Sequence, residues 1–246
     1  MRIAVCIRGA VGKCTGRVSL ENQLYNDSPY VNYTAVYRSL CAHLFGCNPD
    51  TTFDVFIHCW STDLEDELVK LYRPKKWLFE DNRQYNSLIN ASINTPANFA
   101  QGSQVLSITK SLDLMHSTGV RYDRVVIIRP DVLLWKDMVL SRYNPSQVYV
   151  NRWKDQLGDF HFVMNYDNSI IMGNAFKSVI VTGEGWIKRY VTTTMSPPIE
   201  DDIIAGVHQE VVRHIGLTSI RIHRVPHSVF HRYGLTDAEL NSMVNV

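Results

Sequence analysis

No stretch of this chain approaches the roughly 20 consecutive apolar residues that a membrane-crossing helix needs, so no transmembrane segment is expected. It also lacks an excess of either charge. Its 25 Lys and Arg against 24 Asp and Glu leave a formal net charge of +1, which removes any bulk electrostatic case for nucleic acid or an anionic membrane surface. No basic stripe with interleaved aromatics marks a nucleic-acid platform. Cysteine is sparse: Cys6, Cys14, Cys41, Cys47 and Cys59 are odd in number, crowded into the first quarter, and form no CxxC pair. A disulfide framework or zinc cluster is therefore not expected, and reduced thiols are the simpler reading. The opening Met1–Gly9 is too short and too soon broken for a secretion signal. It reads as a strand, and a cytoplasmic location follows as the expectation. Serine-hydrolase elbows, metalloprotease helices, GxGxxG and the Walker lysine-serine pair are all missing.

What the chain does have is alternating strand and helix signals with 45% hydrophobic residues, enough for a sizeable core. The segment Arg124-Val-Val-Ile-Ile-Arg-Pro-Asp131 is the most informative. Its unbroken apolar run Val125–Ile128 predicts a strand buried on both faces of a parallel sheet, ended by Pro130. Asp131 then falls at the carboxyl edge of the sheet, where α/β folds bind ligands. Ile3–Ile7 and Phe53–Cys59 read as further strands, with a short one at Trp77–Phe79. Tyr33, Val36, Tyr37, Leu40, Cys41 and Leu44 keep helical spacing up to Gly46. Thr62-x-x-Glu65 has the capping-box pattern for a helix to about Tyr72. Val18–Asn32 and Asp81–Phe99 lack periodicity and read as loops. A helix is expected over Ser103–Ser117. Beyond residue 145, short strands at Val148–Val150 and Phe160–Met164, helices at Asn174–Val181 and Ile199–Ile215, and a last strand at Ser219–Val225 complete the pattern. The reading is a doubly wound, mostly parallel sheet. Residues 1–145 form a nucleotide-binding half and 146–246 an acceptor half, sharing one core.

Five places carry possible chemistry. The glycine-punctuated turn Arg8-Gly9-Ala10-Val11-Gly12 lets backbone N–H groups approach a phosphate or base, although many such turns are only turns. Asp131 serves either as a ligand to a divalent cation bridging a diphosphate or as a cap to the turn. Asp159 and His161 alternate on an extended segment and hold a metal, a sugar hydroxyl, or simply a strand edge. Glu200, Asp201 and Asp202 suit a helix start through dipole and capping, or supply a general base. His223, Arg224, His227, His231 and Arg232 neutralise a leaving diphosphate or form a solvated basic edge.

Met1–Gly9, Phe53-Asp-Val-Phe-Ile-His-Cys-Trp60 and Tyr122–Asp131 occur in an order and spacing that resemble a family of GT-A-like glycosyltransferases found in surface-polysaccharide clusters and large algal viruses. The Asp159-Phe160 segment and the acids from Glu200 also resemble later family features. The resemblance implies an α/β/α sandwich binding a nucleotide sugar at its carboxyl edge, with Arg8 and Gly9 at the nucleotide. Asp131 would stand where such enzymes keep an Asp-x-Asp motif for manganese or magnesium, and an acid at 200–202 would be the base of an inverting reaction. The chain departs from that pattern at position 129, which is Arg. Either Arg129 supplies positive charge directly, or Asp131 is helped by Asp159 or a C-terminal histidine. The implied partners are a nucleotide-sugar donor and a glycan acceptor. Two rivals remain: a nucleotidyltransferase on a similar sheet, and a degenerate carbohydrate-binding module without turnover.

Overall fold

The computed structural model describes residues 1–11, 33–88, 96–134, 137–153, 156–182, 199–200 and 219–221. Strand β1 (Arg2–Gly9) is followed by helix α1 (Tyr33–Leu40), whose last turn widens over Cys41–Phe45, and by β2 (Thr52–Cys59). A tight turn at Thr62–Leu64 opens α2 (Glu65–Tyr72), and β3 (Lys76–Phe79), a turn at Asn82–Tyr85 and the long α3 (Pro96–His116) come next. Then follow β4 (Arg124–Ile128), β5 (Val132–Leu134), β6 (Tyr149–Trp153), β7 (Gln156–Met164), α4 (Tyr166–Thr182), β8 (Ile199–Glu200) and β9 (Ser219–Arg221).

Seven strands form one sheet in the order β3-β2-β1-β4-β7-β6-β8, and β5 pairs with β9 in a second, two-stranded sheet. Every pairing from β3 to β4 is parallel. Strand β7 runs antiparallel to both β4 and β6, and β8 is parallel to β6. Among the described strands of the main sheet, β7 alone reverses direction. Because β6 and β7 lie after residue 145 yet extend the sheet from β4, the two sequence halves share a single sheet.

The central strands are apolar on both faces, and the alternation sorts them into two cores. Ile3, Val5 and Ile7 with Val126 and Ile128 pack toward α1 and α2, against Leu40, Leu44, Leu68 and Tyr72. Ala4 and Cys6 with Phe56, Val125 and Ile127 pack toward α3, against Val105, Ile108 and Leu112, with Met172 of α4 alongside. The four apolar residues of β4 are each 0% exposed, a burial worth about 1.5–3 kcal/mol apiece. The result is the three-layer α/β/α arrangement with a mostly parallel sheet that the sequence predicts. Among the described residues no helix is long and apolar enough to cross a membrane.

Several local readings change. Gly46 has φ −69° rather than a left-handed conformation. It is glycine because a Cβ there would lie 2.9 Å from the Cys41 carbonyl oxygen. The Thr62–Glu65 capping box does not form; the chain enters α2 through a 3-10 turn without a side-chain cap. The presumed loop Asp81–Phe99 contains the turn at Asn82–Tyr85, and α3 begins already at Pro96, where proline's preset φ suits a helix start. Helix α4 starts at Tyr166, well before Asn174. Ile199–Glu200 is a strand, not a helix start: Tyr149 and Val150 offer it ladder partners, and two prolines precede it. The remainder of the expected 199–215 helix, and the Val18–Asn32 loop, lie outside the described residues. Ser219–Arg221 pairs with β5 instead of joining the main sheet.

Candidate functional site

The carboxyl ends of β1, β2, β3 and β4 are stitched together in sequence. Gly9 has φ +112°, a backbone state that only glycine adopts without strain, so the residue is dictated by conformation. A Cβ placed on it would be 3.9 Å from Cδ of Pro130, which puts the turn after β1 directly beside the turn after β4. The Gly9 carbonyl accepts from the Trp60 N–H at 3.1 Å, and the Cys59 carbonyl from the Glu80 N–H at 3.1 Å. The Ser61 hydroxyl accepts from the Val11 N–H at 2.9 Å and donates to the Val11 carbonyl at 2.6 Å.

The turn after β4 is a β-turn over Arg129–Val132, closed by the Val132 N–H on the Arg129 carbonyl at 3.3 Å, with proline in its favoured second position. It brings Asp131 back under Arg129. The guanidinium grips the carboxylate through two bonds, Nε to Oδ1 at 2.8 Å and Nη2 to Oδ2 at 2.9 Å. Arg129 is 7% and Asp131 1% exposed, so this is a buried, bidentate pair.

The same edge buries two more potential cations. Arg8 is 1% exposed and is the register partner of His58, which is 0% exposed. Ile7 pairs with Ile128, so Arg129 continues the row beside Arg8. All three follow the face that carries Ala4, Cys6, Phe56 and Ile127, beneath α3. His58 is held at both ring nitrogens: Nδ1 lies 2.8 Å from the Ser107 hydroxyl and Nε2 2.9 Å from Glu80 Oε1. Glu80 also receives Lys110 at 2.8 Å, the Tyr85 hydroxyl at 2.7 Å and the Gln84 amide at 3.2 Å. Burial works against the Glu80 charge, but the bonds from His58, Lys110 and Tyr85 outweigh it and hold the carboxyl down to about 2. Burial pulls His58 below the usual histidine range, with Glu80 opposing. Trp60 leans edge-on against His58 at 4.3 Å between ring centroids and against Tyr85 at 5.8 Å.

Of the residues singled out from sequence, Arg8, Gly9, Arg129 and Asp131 meet at this edge. His161 is buried opposite Ile128 on β7. Asp159 lies two residues back on that strand, level with the turn because the Arg129 N–H donates to the Phe160 carbonyl at 3.1 Å; only its backbone is described. Glu200 pairs with Val150, which is level with Phe162 and so with Ile127. Its backbone therefore lies toward the same edge, three strand spacings or about 14 Å from β4. Asp201, Asp202 and Arg232 lie outside the described residues. Strand β9, however, leaves the β5 pairing at Arg221, opposite Val132 and one residue from Asp131.

Both oxygens of Asp131, expected from sequence as a metal ligand, are bound by the Arg129 guanidinium. Among the described residues, no three His, Cys, Asp or Glu side chains gather at metal-binding distance. The His58–Glu80–Lys110–Tyr85 network was not anticipated at all. Its signal was a histidine two residues from Phe56, on the same face of a buried strand, since a titratable group there must find partners.

No protein-family model matches the chain, and no curated protein matches it. Solved structures similar to it include mouse xyloside xylosyltransferase 1 (apo form; 9% identity, TM-score 0.38, covering 88% of this chain and 83% of that one). The apo-form glycosyltransferase GlyE of Streptococcus pneumoniae TIGR4 matches at 12% identity and TM-score 0.42, covering 99% of this chain and 62% of that one. The WbbM bifunctional glycosyltransferase matches at 11% identity and TM-score 0.47, covering 98% and 50%. The chain thus spans less than two thirds of the length of the last two, and likeness at this level assigns no activity.

Proposed function

We propose that the chain is a GT-A-like glycosyltransferase that moves a hexosyl or pentosyl unit from a nucleotide sugar to a hydroxyl of a glycan or glycoconjugate, with inversion. The observation that carries this reading is the convergence of Arg8, the Gly9 turn and the Arg129–Asp131 pair at the carboxyl edge of adjacent parallel strands. Donor diphosphate lies over that edge. Arg8 and Arg129 stabilise the negative charge that develops as the bond from the anomeric carbon to the diphosphate oxygen breaks. Asp131 orients the Arg129 fork. A carboxylate from Glu200, Asp201 or Asp202 takes the proton of the acceptor hydroxyl, whose oxygen forms the new glycosidic bond from the opposite face. Arg129 takes the part that the family resemblance gives to a metal ion, so turnover is expected without one. Arg232 and the histidines near it in sequence add positive charge for the leaving group.

Incubation with a panel of nucleotide sugars, with manganese and with a chelator, tests this. Release of a nucleoside diphosphate in the chelated sample is the expected result. Pyrophosphate release instead points to nucleotidyl transfer, and binding without turnover to a degenerate module. Asp201→Asn is expected to cut turnover by about 10²–10⁴-fold with donor affinity retained. Near-wild-type turnover removes Asp201 from the base role and leaves its two neighbours.

A further inference from the structure

Among the titratable groups at the carboxyl edge that the proposed reaction does not use is His58. His58 is buried, yet its environment accepts either protonation state without moving the ring. Glu80 is ionised and accepts only, so Nε2 of His58 carries a proton in both states. The other nitrogen, Nδ1, faces the Ser107 hydroxyl at 2.8 Å. With neutral His58, Ser107 donates to Nδ1. With charged His58, Nδ1 donates to Ser107, and the hydroxyl turns to a carbonyl one helical turn back, the usual alternative acceptor for a helical serine. A hydroxyl rotation is the whole structural cost.

Several described elements surround the ring. On its own strand Trp60 presents a ring edge. From beyond β3 comes Glu80, which favours the charged form, while Lys110 of α3 opposes it. On β1 the register neighbour is Arg8, and adjacent strands lie about 4.8 Å apart. An anion held over Arg8 adds negative charge near His58 and so favours its protonated form.

We infer that His58 is a proton-linked sensor of the anion site: binding of a diphosphate at the Arg8–Arg129 edge draws a proton from solvent onto His58 Nδ1, and departure of the diphosphate releases it. This rests on the proposed location of the donor. The linkage makes diphosphate bind more tightly as pH falls toward 6, by about tenfold for each unit by which the anion raises the histidine pKa. It follows that product release speeds up as pH rises.

Inorganic pyrophosphate and uridine diphosphate serve as probes. Imidazole nitrogen NMR of the intact protein is expected to show the His58 Nδ1 signal moving from its unprotonated to its protonated position at pH 6.5 on saturation with either probe. Calorimetry in two buffers of different ionisation enthalpy is expected to show proton uptake that His58→Gln, which keeps a donor toward Glu80, lowers below the wild-type value. If wild-type protein binds either probe while the His58 signal stays put and His58→Gln takes up protons equally, the sensor is overturned and the donor site stands. If neither probe binds at any pH from 5.5 to 8.5, the donor-site reading falls and the sensor with it. The NMR measurement needs no variant, so a His58→Gln that fails to fold still leaves a decision.

Discussion

At the amino edge of the sheet, Asp54 of β2 collects Tyr122 at 2.8 Å, Lys75 at 3.0 Å and Arg2 at 2.9 Å. At the carboxyl edge of the same strands, Asp131 and Glu80 each neutralise a cation under the helix layer. The two edges use similar residue types and differ in solvent. Arg2 and Lys75 are 45% and 36% exposed at their side chains, whereas Arg129 and Asp131 are 8% and 1% exposed. Water already screens the first cluster, so its bonds add little beyond fastening strand ends. The second cluster holds charges away from water, a costly arrangement that a hydrophobic pair would avoid. Charge kept dry at a sheet edge where ligands bind is a reason to read that edge as the working one.

Substitutions sharpen the contrast. The largest effect is expected from Asp131→Ala, which strands the Arg129 guanidinium and costs about 3–5 kcal/mol in urea unfolding, while Arg129→Leu with Asp131→Leu costs much less. Equal losses in both would show that the turn, not the charge pair, carries the stability. Glu80→Gln is next, at about 2 kcal/mol near neutral pH, because it weakens bonds to His58, Lys110 and Tyr85 at once. Glu80 is held at about 2, below its ordinary 4.5. Its stabilisation is thus complete above about pH 5 and fades as pH falls toward 2, so wild type and Glu80→Gln should converge in acid. Arg8→Lys keeps the charge but loses the planar fork, and pyrophosphate affinity is expected to drop about tenfold. The smallest effect belongs to Asp54→Asn, under about 1 kcal/mol and fading further in salt. A loss there as large as at Asp131 would erase the distinction between the edges.

The two-faced strands were legible because Ile3–Ile7 and Val125–Ile128 leave no position for water, and only a sandwiched sheet satisfies that. The nearness of Gly9 to Asp131 was legible too, since both follow strands that such a fold places side by side. What Asp131 binds was not. The arginine two residues earlier looked like a departure from a metal motif, and only the turn geometry at Pro130 shows that it folds back onto the acid. The strand at Ile199–Glu200 was hidden because its pairing partners, Tyr149 and Val150, stand some fifty residues away, while the acids after it imitate a helix start. The His58 network was hidden for a related reason: Ser107, Lys110 and Glu80 become neighbours only when α3 lies across β2.

Strand β7 carries a further consequence. It caps the hydrogen-bonding edge of β4 with residues from the later part of the chain. A fragment ending near residue 145 would carry Val125–Ile128 as a bare, flat, wholly apolar border, the kind of template on which copies stack and precipitate. The part of the chain before residue 145 therefore cannot be harvested as an autonomous module; its solubility depends on a strand supplied by the later part.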